Sequence, residues 1–197
     1  MQRPRSSLNP GKIKMKILEI QASARSEGSI TRALTQKMIA QLTTAHKTEV
    51  LTRNLAEGIP FVTNDWINND DLARKTSNTL IDELEWADSL VIGLPIYNFG
   101  MPASFKAWFD QIAMAGRTFQ YKDGWPVGKL KDRPTWVIIA SDGVPVGSEY
   151  DFATPWLQTA FKMVGINDIR FINADGHLLD DQCIKQAETF ISNLQIS

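Results

Sequence analysis

The run Ser89-Leu90-Val91-Ile92-Gly93-Leu94 is apolar after its serine and lacks the alternation of a strand with one face in water. Such a strand has to be covered on both sides, the condition of a parallel sheet between layers of helix. It breaks off at Pro95-Ile96-Tyr97-Asn98-Phe99-Gly100, a polar and aromatic turn, and Met101-Pro102 then leads towards a helix. In an open parallel sheet the ligand crevice lies beyond the carboxyl ends of the strands. A loop there with backbone N–H groups beside aromatic faces suits a planar heteroaromatic ring.

The rest of the chain repeats the pattern. Residues 15–21 are β-prone and end in small polar residues, after which Ile30, Leu34, Met38, Ile39 and Leu42 recur at helical spacing. Residues 48–55 read as a second strand, 72–86 as a helix with Leu80, Leu84 and Ala87 on one stripe, and 89–95 as the third strand. Residues 101–115 form a helix with Phe105, Trp108, Phe109 and Ile112 inward. Strands at 135–140 and 168–173 and helices at 151–164 and 181–194 complete the alternation. Five strands alternating with five helices predict a doubly wound parallel α/β sheet with helices on both faces. Within 117–128, residues 118–121 alternate and Asp123-Gly124 is a turn signal, which predicts an inserted hairpin.

A chain of 197 residues with 43% hydrophobic residues and no Pro/Gly/Ser-rich linker is expected to form one domain, residues 15–197. Residues 1–14, basic and broken by Pro4, Pro10 and Gly11, are expected to be a flexible extension. With 21 Lys plus Arg against 22 Asp plus Glu, the chain carries no footprint for nucleic acid, so a small-molecule ligand is favoured. The single cysteine, Cys183, excludes an internal disulfide. No apolar run reaches the roughly 20 residues of a membrane span, and a cytoplasmic location is expected.

The first loop, Ser23-Ala24-Arg25-Ser26-Glu27-Gly28-Ser29-Ile30-Thr31, sets hydroxyls and a glycine immediately before a helix. Unpaired N–H groups and the positive end of the helix dipole make that a place for a phosphate, with Ser23, Ser29 and Thr31 as hydroxyl donors and Arg25 as added charge. Ser29 would serve equally as an ordinary helix N-cap. No Gly-Lys-Ser or Gly-Lys-Thr closes the loop and Gly28 is its one glycine, which disfavours nucleoside triphosphates and dinucleotides and leaves the terminal phosphate of a mononucleotide. Tyr97 and Phe99 suit either ring contact or core packing, and Ser141-Asp142-Gly143-Val144 taken singly is only a turn. His46 and His177 stand far apart and Cys183 sits in a helix, so no metal site and no hydrolytic triad is expected.

Together the first loop, the Tyr97-Asn98-Phe99 loop, the segment 115–121, Thr154-Pro155 and Ala174-Asp175-Gly176 resemble the flavodoxin-like, FMN-dependent NADH-azoreductase and NADH:quinone oxidoreductase family, from about Met15 to the C-terminus. The resemblance implies a sheet order 2-1-3-4-5. It also implies a cytoplasmic homodimer with FMN as cofactor and NADH as donor, reducing quinones and aromatic azo compounds by two electrons in a ping-pong cycle. By position, Ser23, Ser29, Ile30 and Thr31 would hold the FMN phosphate, and Ile96, Tyr97, Asn98 and Phe99 the isoalloxazine ring. Ser141, Asp142, Gly143 and Val144 would flank its other edge. Phe119 and Tyr121 of the hairpin would meet the substrate, and no side chain is required as a catalytic group because the flavin performs the chemistry. Where the family commonly shows Ser-Arg-Gly-Gly in the fourth loop, this chain has Ser141-Asp142-Gly143-Val144. A carboxylate there is expected to lower the flavin potential. The competing reading is a flavodoxin-like electron carrier without NADH turnover; the near-neutral charge and the aromatic hairpin weigh against it.

Overall fold

The computed structural model describes residues 14–176 and 182–195; residues 1–13, where all of the expected extension but Lys14 falls, lie outside them, as do His177 and Asp180-Asp181. In chain order the elements are β1 (Lys14–Gln21), α1 (Ile30–Ala45), β2 (Lys47–Asn54), a 3₁₀ turn (Leu55–Glu57) and α2 (Asn64–Ile67). There follow α3 (Lys75–Trp86), β3 (Ser89–Pro95), α4 (Ala103–Ile112), β4 (Phe119–Lys122) and β5 (Trp125–Gly128). β6 (Thr135–Ser141), α5 (Ala153–Val164), β7 (Ile169–Asp175) and α6 (Gln182–Asn193) complete the chain. Five strands form one parallel sheet in the order β2-β1-β3-β6-β7, which is 2-1-3-4-5 once the hairpin β4-β5 is set aside.

The pleat divides the apolar strands between two cores. Leu90, Ile92 and Leu94 of β3 and Val137 and Ile139 of β6 face Leu80 and Leu84 of α3, Phe105, Trp108 and Phe109 of α4, and Leu157 and Phe161 of α5. Val91 of β3 and Trp136, Ile138 and Ala140 of β6 face Leu34, Met38 and Leu42 of α1 and Ala187 and Ile191 of α6. Every residue of β3 and β6 is buried, so the apolar run that constrained the fold occupies the centre of the sheet. Leu72, expected at the start of the helix of residues 72–86, is 81% exposed, and that helix, α3, starts only at Lys75.

Since β2 lies on one side of β1 and β3 on the other, the topological switch is at the carboxyl ends of β1 and β3. Ala22 N–H donates to Gly93 O at 2.9 Å just there. Gly93 also sets how closely α1 approaches, because a Cβ at that position would stand 2.9 Å from Thr35 Cγ2 and 3.3 Å from Thr31 Cβ. The hairpin closes through Asp123 and Gly124, both at positive φ (52° and 82°), as a tight two-residue turn demands.

Candidate functional site

Three loops meet over the switch point around a cavity of about 70 Å³, lined by Ser23, Arg25, Gly28, Ser29, Ile30 and Thr31, by Pro95, Ile96 and Tyr97, and by Ala140, Ser141 and Asp142. On the first loop Ser29 caps α1, its Oγ accepting from Arg32 N at 3.4 Å and lying 3.2 Å from Thr31 Oγ1. Thr31 and Ser23 are buried at the floor. The amides of Ile30 and Thr31, in the first turn of α1, have no intrahelical carbonyl to pair with and carry the positive end of the dipole.

The third loop turns back on itself. Tyr97 N–H donates to Gly100 O at 2.9 Å and Gly100 N–H to Tyr97 O at 3.0 Å, with Asn98 and Phe99 between them at φ 49° and 68°. Left-handed backbone costs a non-glycine residue roughly 1–2 kcal/mol, and such conformations gather at ligand clamps. The Phe99 ring is 51% exposed and lies 6.2 Å from the Tyr150 ring. Ile96 N–H donates to Ala140 O at 2.8 Å and stitches this loop to the end of β6.

The fourth loop is held by its own serine and two acids. Ser141 Oγ donates to Val144 O, and Val146 N–H donates to Asp175 Oδ2 at 2.7 Å. Asp151, 4% exposed, accepts from Gly147 N at 2.9 Å and from Ala153 N and Thr154 N at 3.0 Å, and so ties the loop to the start of α5. Burial pushes its carboxyl up, but the hydrogen bonds from Thr154, Gly147 and Ala153 outweigh that and hold it below the ordinary carboxylate value.

Of the residues expected at the cofactor, the structure gathers Ser23, Ser29, Ile30, Thr31, Ile96, Tyr97, Ser141 and Asp142 around one cavity. Asn98, Phe99, Gly143 and Val144 do not line it: the first two form the tip of the third turn, Gly143 is exposed, and Val144 packs its side chain on the core. Phe119 and Tyr121 stand on the hairpin, their rings edge to face at 5.5 Å, and neither borders the cavity. Trp66 of α2 also stands away from the cavity, its Nε1 donating to Ser77 Oγ at 2.7 Å with Arg74 stacked over its ring at 4.7 Å. Sequence reasoning missed Arg32, Gln21, Glu19, Asp151 and Asp175, which hold the loops without bordering the cavity. Asp175 acts on a loop brought to it by the fold, whereas Asp151 accepts from amides two to four residues away and is readable as a cap before α5.

The residues fit FMN. The buried hydroxyls and first-turn amides of α1 are donors with the reach for a phosphate monoester, and the cavity is large enough for that end only. A flat ring would therefore lie across its mouth, along Tyr97 and Asp142. Among the described residues no group of three or more His, Cys, Asp or Glu could hold a metal ion, and no helix is long and apolar enough to cross a membrane.

Fold and site together define a doubly wound α/β protein with a phosphate-sized cavity at its topological switch point. The chain belongs to the flavodoxin-like fold family (Flavodoxin_2), which it matches over residues 15–193. It is 44% identical over 173 residues to an FMN-dependent NADH:quinone oxidoreductase 1 of Colwellia psychrerythraea, covering 82% of this chain and 90% of that one. It is 43% identical over 190 residues to its namesake from Jannaschia sp., covering 90% and 97%. A crystal structure of azoreductase from Bacillus anthracis str. Sterne has the same fold, with a TM-score of 0.80 at 22% identity over 91% of this chain and 100% of the other. An FMN-dependent NADH-azoreductase from Bacillus anthracis str. Ames Ancestor, solved in complex with FMN, superimposes with a TM-score of 0.79 at 22% identity, covering 90% and 96%.

Proposed function

We propose that this protein is an FMN-dependent NADH:quinone oxidoreductase that also reduces aromatic azo compounds. The observation that carries the reading is the phosphate-sized cavity at the N-terminus of α1, opening directly onto the strained Tyr97–Gly100 turn. It is joined to 44% identity with a relative of that name.

Bound there, FMN would supply the two-electron redox chemistry between NADH and the acceptor. The chain's own residues bind and orient. Ser23, Ser29 and Thr31 would hold the phosphate through their hydroxyls, and the first-turn amides of Ile30 and Thr31 would complete its shell. Ile96 and Tyr97 fix one edge of the ring and Ser141 and Asp142 the other, while Asn98 and Phe99 shape the outer rim. Phe99, with Tyr150 and Phe152 beside it (55% and 63% exposed), offers an aromatic platform on which a flat acceptor stacks. Donor and acceptor share the one open side and so bind in turn, without any acidic or basic side chain being called on.

The groove between the hairpin, α4 and α5 is proposed as the seat of a second copy of the chain, forming a homodimer in which Tyr121, 68% exposed, approaches the substrate of the neighbouring site, while Phe119, expected there too, is buried at 7% exposure and only backs the Tyr121 ring. NADH as donor and the lone cysteine fit a cytoplasmic location, and residues 15–197 would form the single FMN-binding domain behind the extension 1–14.

The test is a visible spectrum of protein loaded with FMN, taken before and after anaerobic NADH and again after a benzoquinone. Bleaching by NADH and recovery with quinone is the expected result. Retained FMN that NADH does not bleach would make the protein an electron carrier instead. Initial-rate plots at several fixed quinone concentrations are expected to be parallel; intersecting lines would overturn the alternating order.

A further inference from the structure

Behind the phosphate loop lies a cation that does not border the cavity. The Arg32 guanidinium donates from Nε to Arg25 O at 2.9 Å, from Nη2 to Ser23 O at 2.9 Å and to Asn54 Oδ1 at 2.8 Å, and from Nη1 to Gln21 Oε1. Four of its five N–H groups are thus committed, all to neutral oxygens. Two of those oxygens are main-chain carbonyls of the loop, and the other two stand at the carboxyl ends of β1 and β2.

We propose that Arg32 is the positioning residue of the phosphate subsite and the source of its preference for a phosphorylated flavin; the proposal rests on the FMN reading above. In a trans peptide the C=O and the following N–H point in opposite directions. Drawing the Ser23 and Arg25 carbonyls inwards to Arg32 turns the amides of Ala24 and Ser26 away from it, on the outer side of the loop. The same contacts seat the loop against the end of α1, where Arg32 N–H also donates to the capping Ser29 Oγ. No carboxylate takes one of these four bonds, though Glu19 and Glu57 stand one amide further back, behind Gln21 and Asn54, and offset part of the charge; the remainder of its field adds to the helix dipole at the phosphate.

The direction of the clamp is set from beneath. Glu19, 5% exposed in the middle of β1, accepts from Thr35 Oγ1 at 2.7 Å, from Thr52 Oγ1 at 2.8 Å and from Gln21 Nε2 at 2.9 Å. Because the carboxylate only accepts, Gln21 must present its NH₂ to Glu19 and its carbonyl oxygen to Arg32. The buried acid therefore orients the amide that orients the arginine.

The experiment measures dissociation constants of FMN and of riboflavin, which differ only in the phosphate, for wild type, Arg32→Met and Arg32→Lys, with thermal midpoints of the apo proteins alongside. Losing charge-assisted hydrogen bonds predicts that Arg32→Met weakens FMN about ten- to hundredfold. Riboflavin binding should change by less than about twofold. Arg32→Lys keeps the charge but not the fork, and is expected to fold and fall between the two; it decides the question if Arg32→Met does not fold. Equal weakening of FMN and riboflavin would make Arg32 a general fold contact and overturn the proposal, as would an unchanged FMN constant in Arg32→Lys and Arg32→Met. Wild type that binds neither flavin would overturn the FMN reading itself, and the clamp with it.

Discussion

Asp142 and Asp151 stand nine residues apart on either side of the fourth loop, yet one faces the cavity mouth and the other is buried under it. A carboxylate at the ring edge opposes the arrival of electrons, so Asp142→Asn should raise the two-electron midpoint of bound FMN by roughly 10–30 mV, a shift reduced by solvent screening at an exposed position. Potentiometric titration at low and moderate salt measures it; an unchanged midpoint would place Asp142 outside the reach of the ring. Asp151 acts on stability instead. Its folded carboxyl titrates below its unfolded value of about 3.9, so its contribution is complete above that pH and is lost as the pH falls through the lower folded value. Asp151→Asn leaves donors of the fourth loop poorly satisfied and should cost about 1–3 kcal/mol at pH 7. The gap between the two proteins should narrow in acid below about pH 4, as read by urea melts across that range. The role of Asp142 comes from the family resemblance, whereas that of Asp151 lies in the local sequence as a cap before α5, its donors standing within four residues of it.

Among the elements, the hairpin depends on its contact with the end of α5. α5 ends at Gly165 (φ 105°), and a Cβ on Gly128 of β5 would stand 2.1 Å from Gly165 N, a distance no rearrangement of side chains relieves. Gly128→Ala should therefore lift the hairpin from α5, lowering stability by about 1–3 kcal/mol or more. Faster amide exchange should appear in residues 119–128 while β3 and β6 stay protected; uniform exchange or an unchanged melt would show the contact to be dispensable. Arg133 supports α3 in a comparable way, donating from Nη1 to Ala87 O at 2.6 Å and to Leu84 O at the last turn. Burial lowers its pKa, against the pull of Asp88, Glu85 and Asp132. The five sheet strands and the hairpin were legible because period and turn chemistry are local: uninterrupted Val, Ile and Leu for β3 and β6, and Asp123-Gly124 for the turn. The short α2 and the 3₁₀ turn were not, since residues 55–72 are polar and aperiodic and are held by distant partners such as Ser77 on Trp66. Of the site, the hydroxyls before α1 and the aromatic turn could be read from spacing. The Arg32 clamp could not, as its partners come from two segments, residues 21–25 after β1 and Asn54 at the end of β2, that only the fold brings together.

For the molecule as a whole, one face is unfinished. The groove bounded by α4, the hairpin and α5 encloses about 890 Å³ and is lined largely by apolar residues, among them Phe109, Trp156 and Met163. At its edge Trp125 is 76% exposed and Val127 42%. Apolar surface of this extent rimmed by Lys106, Asp110, Asp132 and Lys162 is characteristic of an interface. A twofold pair would be self-complementary, each copy offering the same exposed tryptophan and the same groove. Trp125→Glu places a charge within that contact and should convert a dimer into a monomer of unchanged fold, measured by sedimentation equilibrium with circular dichroism as the control. If the open cleft is closed by the second copy, with Tyr121 (68% exposed) reaching across, the monomer should also bind FMN less tightly and turn over quinone more slowly. A wild type that sediments as a monomer would remove the second copy from the site and leave Tyr121 without a substrate to meet. A Trp125→Glu protein that remains dimeric would instead move the interface to another face.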